Sequence, residues 1–513
     1  MQGNRAVVVG AGIGGLVTAL DLASRGVEVT VLERAAEAGG KLRQVSVAGS
    51  RIDAGPTVFT MRWVFDQLFD DAGLSLAEHI DLRPAGILAR HAWSAGERLD
   101  LYDDLAQSAD AIGRFSGAAE ARRFLDFSAR ARCIYEILEG PFIRSACASP
   151  QALVRSVGAR RMPDLWKIAP FNTLWRALGG YFHDPRLRQL FGRYATYCGS
   201  SPFEAPATLM LIAHVEQAGV WLIEGGMHRL AQAIAAAASR LGAQFRYRAH
   251  VDEILIRQRG AAGVRLSDGE VFESDAVIVN ADAAALSAGH FGTQVRRACK
   301  STSRATRSLS AVTWAMMAET EGFPLLRHNV FFSGDYAAEF EDVFKRARLP
   351  ASPTVYVCAQ DRAGSEAATA CGSERLLCLV NAPANGDSRS FDAEEIEQCQ
   401  ARTFDHLERC GLRLHRQAEA TLTTTPQDFD RLFPASGGAL YGPASHGWQA
   451  SFNRPSARSR IAGLYLAGGS VHPGPGVPMA ALSGRIAAAS LMQDWDSNAR
   501  SHQVAMHGGM SMR

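Results

Sequence analysis

Gly10, Gly12, Gly14 and Gly15 crowd into one short run, and Gly10, Gly12 and Gly15 have the spacing G-x-G-x-x-G. Backbone N–H groups without side chains in front of them can approach an anion, and a helix N-terminus behind them adds the positive end of its dipole. Glu33, followed by Arg34, lies where a carboxylate accepts hydrogen bonds from ribose hydroxyls. These residues together are suited to holding a dinucleotide. Gly39, Gly40, Lys41 and Leu42 then bring two more glycines and a cation, a second phosphate approach that favours FAD over NAD. Gly55, Pro56 and Thr57, in the run that starts at Asp53, form another turn with exposed backbone that would lie against a flavin. Alone, that turn reads as an ordinary Pro-Gly loop.

The far end of the chain repeats the pattern of strand, glycine turn and helix. Leu464 to Ala467 are followed by Gly468, Gly469, Ser470, Val471, His472, Pro473, Gly474, Pro475, Gly476, Val477 and Pro478, and then by an apolar helix. A helix N-terminus aimed at the flavin pyrimidine ring would stabilise the negative charge that develops on hydride acceptance. Two side chains are candidates for acid or base work, Asp184 and His472. Asp184 stands before Pro185, so the favoured reading is a helix N-cap followed by an N1 proline.

The elements needed to position these groups are legible. Arg5 to Val9 read as a buried strand, Leu16 to Ser24 as a helix ended by Gly26, and Val27 to Leu32 as a second parallel strand. The run Ile223 to Leu230 opens an alanine-rich helix, after which comes a strand containing Val251, a further cofactor candidate. Strands at 263–266 and 276–280 read as a meander returning to the first sheet. The fold class expected is α/β, a discontinuous Rossmann-type FAD-binding domain with an inserted mixed α+β substrate domain. Residues 1–72, 216–300 and 423–496 form the first, 73–215 and 301–422 the second, and 497–513 a flexible tail. Residues 73–214 read as mostly helical. Within them, Pro163 to Phe182 set aromatics beside Arg160, Arg161, Lys167 and Arg176, which fits a membrane interface or a packed lid equally well.

Composition narrows the function. The 513 residues are 47% hydrophobic and 21% charged with a net charge of +2, so a globular enzyme is expected and nucleic acid is not a partner. Nine cysteines without a C-x-x-C pair argue against a disulfide framework, and no metal is expected. Met1 runs almost directly into the first strand and no long apolar span occurs, so the expected location is the cytoplasm, with peripheral association at the inner membrane.

The chain resembles the bacterial-type phytoene desaturase family of FAD-dependent carotenoid oxidoreductases, a branch of the wider flavin amine oxidase fold. The resemblance is nearly full-length. Besides the runs above, it rests on Gly225, Gly226 and Met227 with Val251, on Asn280, Ala281 and Asp282, on Thr425, Pro426, Asp428 and Phe429, and above all on Leu464 to Pro478. Gly469 and Ser470 stand where the wider family often has Gly-Asp, which favours carotenoid members over amine oxidases. The segment from Arg193 to Met227 is similar to the branch that desaturates 1-hydroxy or 1-methoxy carotenoids. That similarity implies a C3,C4 double bond on a spheroidene-type route, with flavin N5 taking a hydride from an allylic carbon. The cation left behind delocalises over the polyene, so no strong base is demanded. The pocket is expected to be long and apolar with few polar contacts at the oxygenated end, and the final electron acceptor to be oxygen or a quinone. The alternatives are a phytoene-type desaturase, a carotenoid isomerase, an amine oxidase and a non-catalytic lipid carrier on the same fold.

Overall fold

Arg5–Val9 pairs in parallel on both sides, with Glu28–Glu33 and with Ala276–Val279, and so occupies the middle of a five-stranded parallel sheet. Gln244–Tyr247 adds to one edge and Leu464–Leu466 to the other. Three distant stretches of chain therefore build one sheet, as expected for a discontinuous Rossmann-type domain. The computed structural model describes residues 4–146, 149–157, 168, 171–258, 260–301, 303–362 and 372–508. Arg160, Arg161, Pro163, Trp166 and Lys167 of the aromatic and basic stretch lie outside the described residues.

The central strand is a run of Ala6, Val7, Val8 and Val9, none more than 6% exposed, because both faces of the sheet are covered: Ala6 and Val8 pack towards the helices, Val7 and Val9 towards Val251, Ile254 and Val264 of a separate antiparallel sheet. Helix Ile13–Ala23 is buried along its whole length and packs against helices His228–Arg240 and Val477–Gly508. A β-carbon on Gly484 would stand 2.3 Å from the Gly14 carbonyl oxygen, so the first and last helices cross backbone to backbone. Thr18 Oγ1 bridges that crossing, donating to Gly14 O at 2.8 Å and Gly484 O at 3.0 Å.

The second layer is an eight-stranded sheet. Its order runs Arg413–His415, Ser310–Glu321, Glu374–Ala382, Val355–Ala359, His328–Phe331, Ile87–Ser94 and Glu97–Tyr102, with Thr421–Thr424 also pairing Ser310–Glu321. Trp314, Val355, Val357 and Leu376, all fully buried, form the heart of its core.

Three expectations from the sequence are refined. The described part of 73–214 is mostly helical, but the alternating Ile87–Ser94 and Glu97–Tyr102 within it form a hairpin on the edge of the second sheet. Of the anticipated meander, only Ala276–Val279 enters the parallel sheet. Val251–Arg257, Gly260–Leu266 and Val271–Glu273 make a separate antiparallel sheet. The last helix continues to Gly508, well into the stretch expected to be a frayed tail. Among the described residues, no helix is long and apolar enough to cross a membrane.

Candidate functional site

The two glycine turns meet around one side chain, Asn280. A β-carbon on Gly10 would stand 2.8 Å from Asn280 O, one on Gly12 2.6 Å from Asn280 Nδ2, and one on Gly14 2.6 Å from Asn280 Oδ1. Gly10 also holds φ at +98°, where a β-carbon is strained. Gly15 has the packing role its spacing implies, since a β-carbon there would fall 2.1 Å from Gly10 O. Asn280 is not among the cofactor candidates that the sequence offers. Its signal there is a polar residue directly after the wholly apolar strand Ala276–Val279.

Helix Ile13–Ala23 begins at Gly12 with no side-chain cap and no acid in its first turn. Gly12, Ile13 and Gly14 line a cavity of about 650 Å³, so the positive end of this helix is presented to that cavity. This is a cradle for an anion, and phosphate fits it.

The neighbouring residues divide into those free to meet a ligand and those already engaged. Glu33 lines the cavity while accepting from the backbone N–H of Ala11 at 2.6 Å and of Ala35 at 2.8 Å. A carboxylate has further lone pairs for a hydroxyl donor, so the two roles are compatible. Val251, buried at the start of its strand, also lines the cavity. Arg34 and Lys41 line the cavity as well, each with a protein partner: Arg34 donates to the carbonyls of Leu432 and Arg431, completing the C-terminal end of helix Pro426–Leu432. Lys41, expected to face a second phosphate, donates to Leu440 O at 2.6 Å and lies 5.2 Å over the Phe433 ring. Burial lowers its pKa, and nearby Asp282 opposes that shift.

Gly39 and Gly55 are packing glycines. A β-carbon on Gly39 would reach 2.3 Å from Leu42 O, and one on Gly55 would reach 1.8 Å from Lys41 O. The Gly55–Thr57 turn is therefore pressed onto the run from Gly39 to Leu42. Gly40 approaches Gly12, and His228 Nδ1 bonds Leu42 O at 2.7 Å. Asp53 explains the Gly225, Gly226, Met227 run: its Oδ2 accepts from Met227 N–H at 2.6 Å, and a β-carbon on Gly226 would lie 2.2 Å from it.

At the other end, Gly468 (φ +115°) donates its N–H to Ser483 Oγ at 3.2 Å, and Ser470 Oγ accepts from Ala283 N–H at 3.0 Å. Gly469 O accepts from Arg454, whose guanidinium also reaches Tyr441 O at 3.2 Å and Pro443 O at 2.6 Å. Burial brings the Arg454 pKa down to about 10. Nothing in the sequence marks Arg454. Gly476, Val477 and Pro478 line the cavity at the start of the last helix.

Neither acid/base candidate reaches the cavity wall. Asp184 caps helix Pro185–Gly192, accepting from Arg186 N–H at 2.8 Å, and also binds the Arg186 side chain and Ser116 Oγ. Burial opposes its ionisation, but Arg186 and Ser116 outweigh that and hold its pKa at about 2. His472 is 1% exposed, with Nε2 bonded to Ser145 O at 2.8 Å and its ring edge-on to Phe142. It anchors the C-terminal glycine loop rather than presenting a base.

The same cavity is walled elsewhere by Leu138, Phe142, Leu153, Leu209, Ile212, Val215 and Phe452. Its polar members include Thr57, Arg193, Tyr197 and Tyr356. At its rim Trp448, 39% exposed, meets Phe171, 70% exposed, with ring centroids 5.5 Å apart.

Residues 13–492 match the sequence family described as flavin containing amine oxidoreductase. The chain belongs to this family. Within it, the chain is 55% identical to a hydroxyneurosporene desaturase of Rubrivivax gelatinosus, over 100% of this chain and 98% of that protein. It is 44% identical to a hydroxyneurosporene desaturase of Cereibacter sphaeroides, over 97% and 99% of the two chains. It is 30% identical to a 1-hydroxycarotenoid 3,4-desaturase of a Flavobacterium species, over 94% of this chain and 98% of that one. Among solved structures, an oxidoreductase from Methanosarcina mazei superposes with a TM-score of 0.58 at 17% identity, covering 95% of this chain and 100% of the other. Cyclohexylamine oxidase from Brevibacterium oxydans gives 0.55 at 16%, covering 96% and 100%. These structures share the flavin amine oxidoreductase fold with this chain.

Proposed function

We propose that this chain desaturates a carotenoid, placing a C3,C4 double bond in a 1-hydroxy or 1-methoxy carotenoid of the spheroidene-type route. The observation that carries the proposal is a single cavity lined both by uncapped glycine turns and by an apolar wall. Cofactor and greasy substrate thus share one space. The likeness to hydroxyneurosporene desaturases over the whole chain supports the same substrate class.

FAD fits the residues present: the Gly10–Gly15 turn and its helix for phosphate, Glu33 for ribose, and the Gly55–Thr57 and Gly468–Pro478 turns for the ring system. When bound, FAD supplies the hydride acceptor, the flavin N5. The chain's own contribution is positioning and exclusion. Leu138, Phe142, Leu209, Ile212 and Phe452 present apolar side chains to the polyene and so disfavour water along that wall. The start of helix Val477–Gly508 carries no acid in its first turn, so it favours negative charge on a group placed before it. With Asp184 and His472 both engaged outside the cavity wall, the proton is lost without a strong base, as an allylic cation's acidic neighbour permits.

The membrane enters through the substrate, which is insoluble in water. Phe171 and Trp448 at the rim are suited to the bilayer interface, where aromatic rings settle, and peripheral attachment there would let the polyene pass without crossing water. Oxygen or a membrane quinone then removes the electrons.

The experiment is a side-by-side product analysis with detergent-dispersed 1-hydroxyneurosporene and phytoene. The expected result is one added double bond in the first and little change in the second. Preference for phytoene, or isomerisation without oxidation, would overturn the assignment.

A further inference from the structure

A guanidinium in an apolar cavity needs a reason, because an unpaired charge is costly away from water. Arg193 lines the cavity, and the one hydrogen bond of its guanidinium among the described residues is a long contact of 3.4 Å to the Tyr197 hydroxyl. No carboxylate among the described residues pairs with it at ion-pair distance. Glu216, the acid nearest in the network, accepts the hydroxyls of Tyr197 at 2.8 Å and Tyr194 at 3.2 Å. Two aromatic faces fix the plane of the guanidinium, Tyr197 at 5.2 Å and Tyr356 at 5.7 Å. It is held rigidly with donors to spare.

Its place in the cavity is specific. The Tyr356 hydroxyl lies 2.6 Å from Thr57 Oγ1 and 2.7 Å from His328 Nδ1. Thr57 ends the turn that packs on the run from Gly39 to Leu42. Arg193 is thus joined through Tyr356 to the cofactor side of the cavity.

We propose that Arg193, steadied by Tyr197 and Tyr356, donates to the oxygen at C1 of the carotenoid and so selects oxygenated over hydrocarbon substrates. The inference rests on the function proposed above and adds the residue that recognises the end group. Substrate geometry supports it. A single methylene, C2, separates the oxygen-bearing carbon from the C3–C4 bond, so whatever binds the oxygen must stand beside the reacting bond. A tertiary alcohol and a methyl ether both accept a hydrogen bond, so one donor serves both. Glu216 offsets the charge from behind Tyr197, but a hydrocarbon end would leave the spare N–H donors desolvated and unmet, a strong form of discrimination.

The test compares Arg193→Met and Arg193→Lys with the wild type on 1-hydroxyneurosporene and neurosporene, recording kcat, KM and bound flavin. Loss of a charged hydrogen bond corresponds to about a ten- to hundredfold fall in kcat/KM. The expected result for Arg193→Met is that fall on 1-hydroxyneurosporene alone, carried mainly by KM, with flavin content retained. Arg193→Lys should recover part of it, which also guards against a misfolded first variant. Equal losses on both substrates, or loss of flavin from either variant, would overturn the proposed contact and leave the desaturase reading standing. A wild type inactive on both polyenes would instead sink that reading.

Discussion

Gly14 and Gly468 lie so close that a β-carbon on Gly14 would stand 2.8 Å from the Gly468 backbone nitrogen. Residues near the two ends of the chain thereby form one surface, with the Asn280 amide between them. The closeness follows from strand pairing. Val9 is in register with Val279, and Val279 with Leu466, so the turns that follow the three strands emerge side by side. A cofactor gripped there is held by parts of the chain that only the finished fold assembles.

Gly14→Val should therefore break the junction. Backbone on one side and Asn280 on the other leave nowhere for the side chain, and overpacking of this kind costs about 1–3 kcal/mol. Gly12→Val should act more narrowly, intruding where phosphate must approach. Both proteins are expected to purify without yellow colour, and flavin absorbance per protein checks this. Wild-type flavin content in either variant would contradict the placement of the phosphate turn.

Asp184→Ala removes a helix cap and should lower stability by about 1–2 kcal/mol while leaving kcat unchanged. Asp184→Asn, which can still cap, should keep most of that stability. Denaturant titration together with product formation separates the roles: a fall of several orders of magnitude in kcat would restore Asp184 as a base.

Burial of His91 and His328, with the charge of Arg193 on the first and of Arg327 and Arg193 on the second, depresses both pKa values to about 3. A base with a depressed folded pKa contributes stability that is whole above its unfolded value, near 6.5, and is lost as pH falls towards 3. Each histidine can add a slope approaching about 1.4 kcal/mol per pH unit. Unfolding midpoints are expected to drop steadily between about pH 7 and pH 5, and less steeply in His91→Phe. A midpoint flat over that interval would show that these rings are not held neutral.

Asp53→Ala strips the buried Met227 N–H of its acceptor, at a cost of about 1–3 kcal/mol. Because the same Asp53 carries the turn to Gly55 and Thr57, flavin affinity should weaken alongside thermal stability. Unchanged melting with unchanged flavin binding would remove Asp53 from the architecture of the site.

Much of this is legible in residue types and spacing. The first strand, helix and strand follow from apolar runs broken by glycine, and Gly15 and Glu33 lie where a phosphate turn requires them. The edge hairpin Ile87–Ser94 with Glu97–Tyr102 is lost among helical spacings because it is flanked by helices on the chain and its sheet partner, His328–Phe331, comes far later. Cations near glycines suggest phosphate, so Arg34 and Lys41 read as ligand-facing. Both line the cavity, and each also donates to a tertiary carbonyl that the sequence does not reveal, Leu432 for Arg34 and Leu440 for Lys41. Arg454 gives no signal at all, since its burial depends on contacts spread along the chain, and Arg193 stands out only as the first residue of a segment similar to one branch, with nothing local to show that its guanidinium faces the cavity. Asp184 reads correctly as a cap because that role is local.

The most direct measurement is anaerobic mixing of the purified yellow protein with detergent-dispersed 1-hydroxyneurosporene, following flavin absorbance and extracted carotenoid together. The expected result is bleaching of the flavin matched by an equal amount of product with one more conjugated double bond. Flavin that stays oxidised with the polyene, yet bleaches with a simple primary amine, would contradict it.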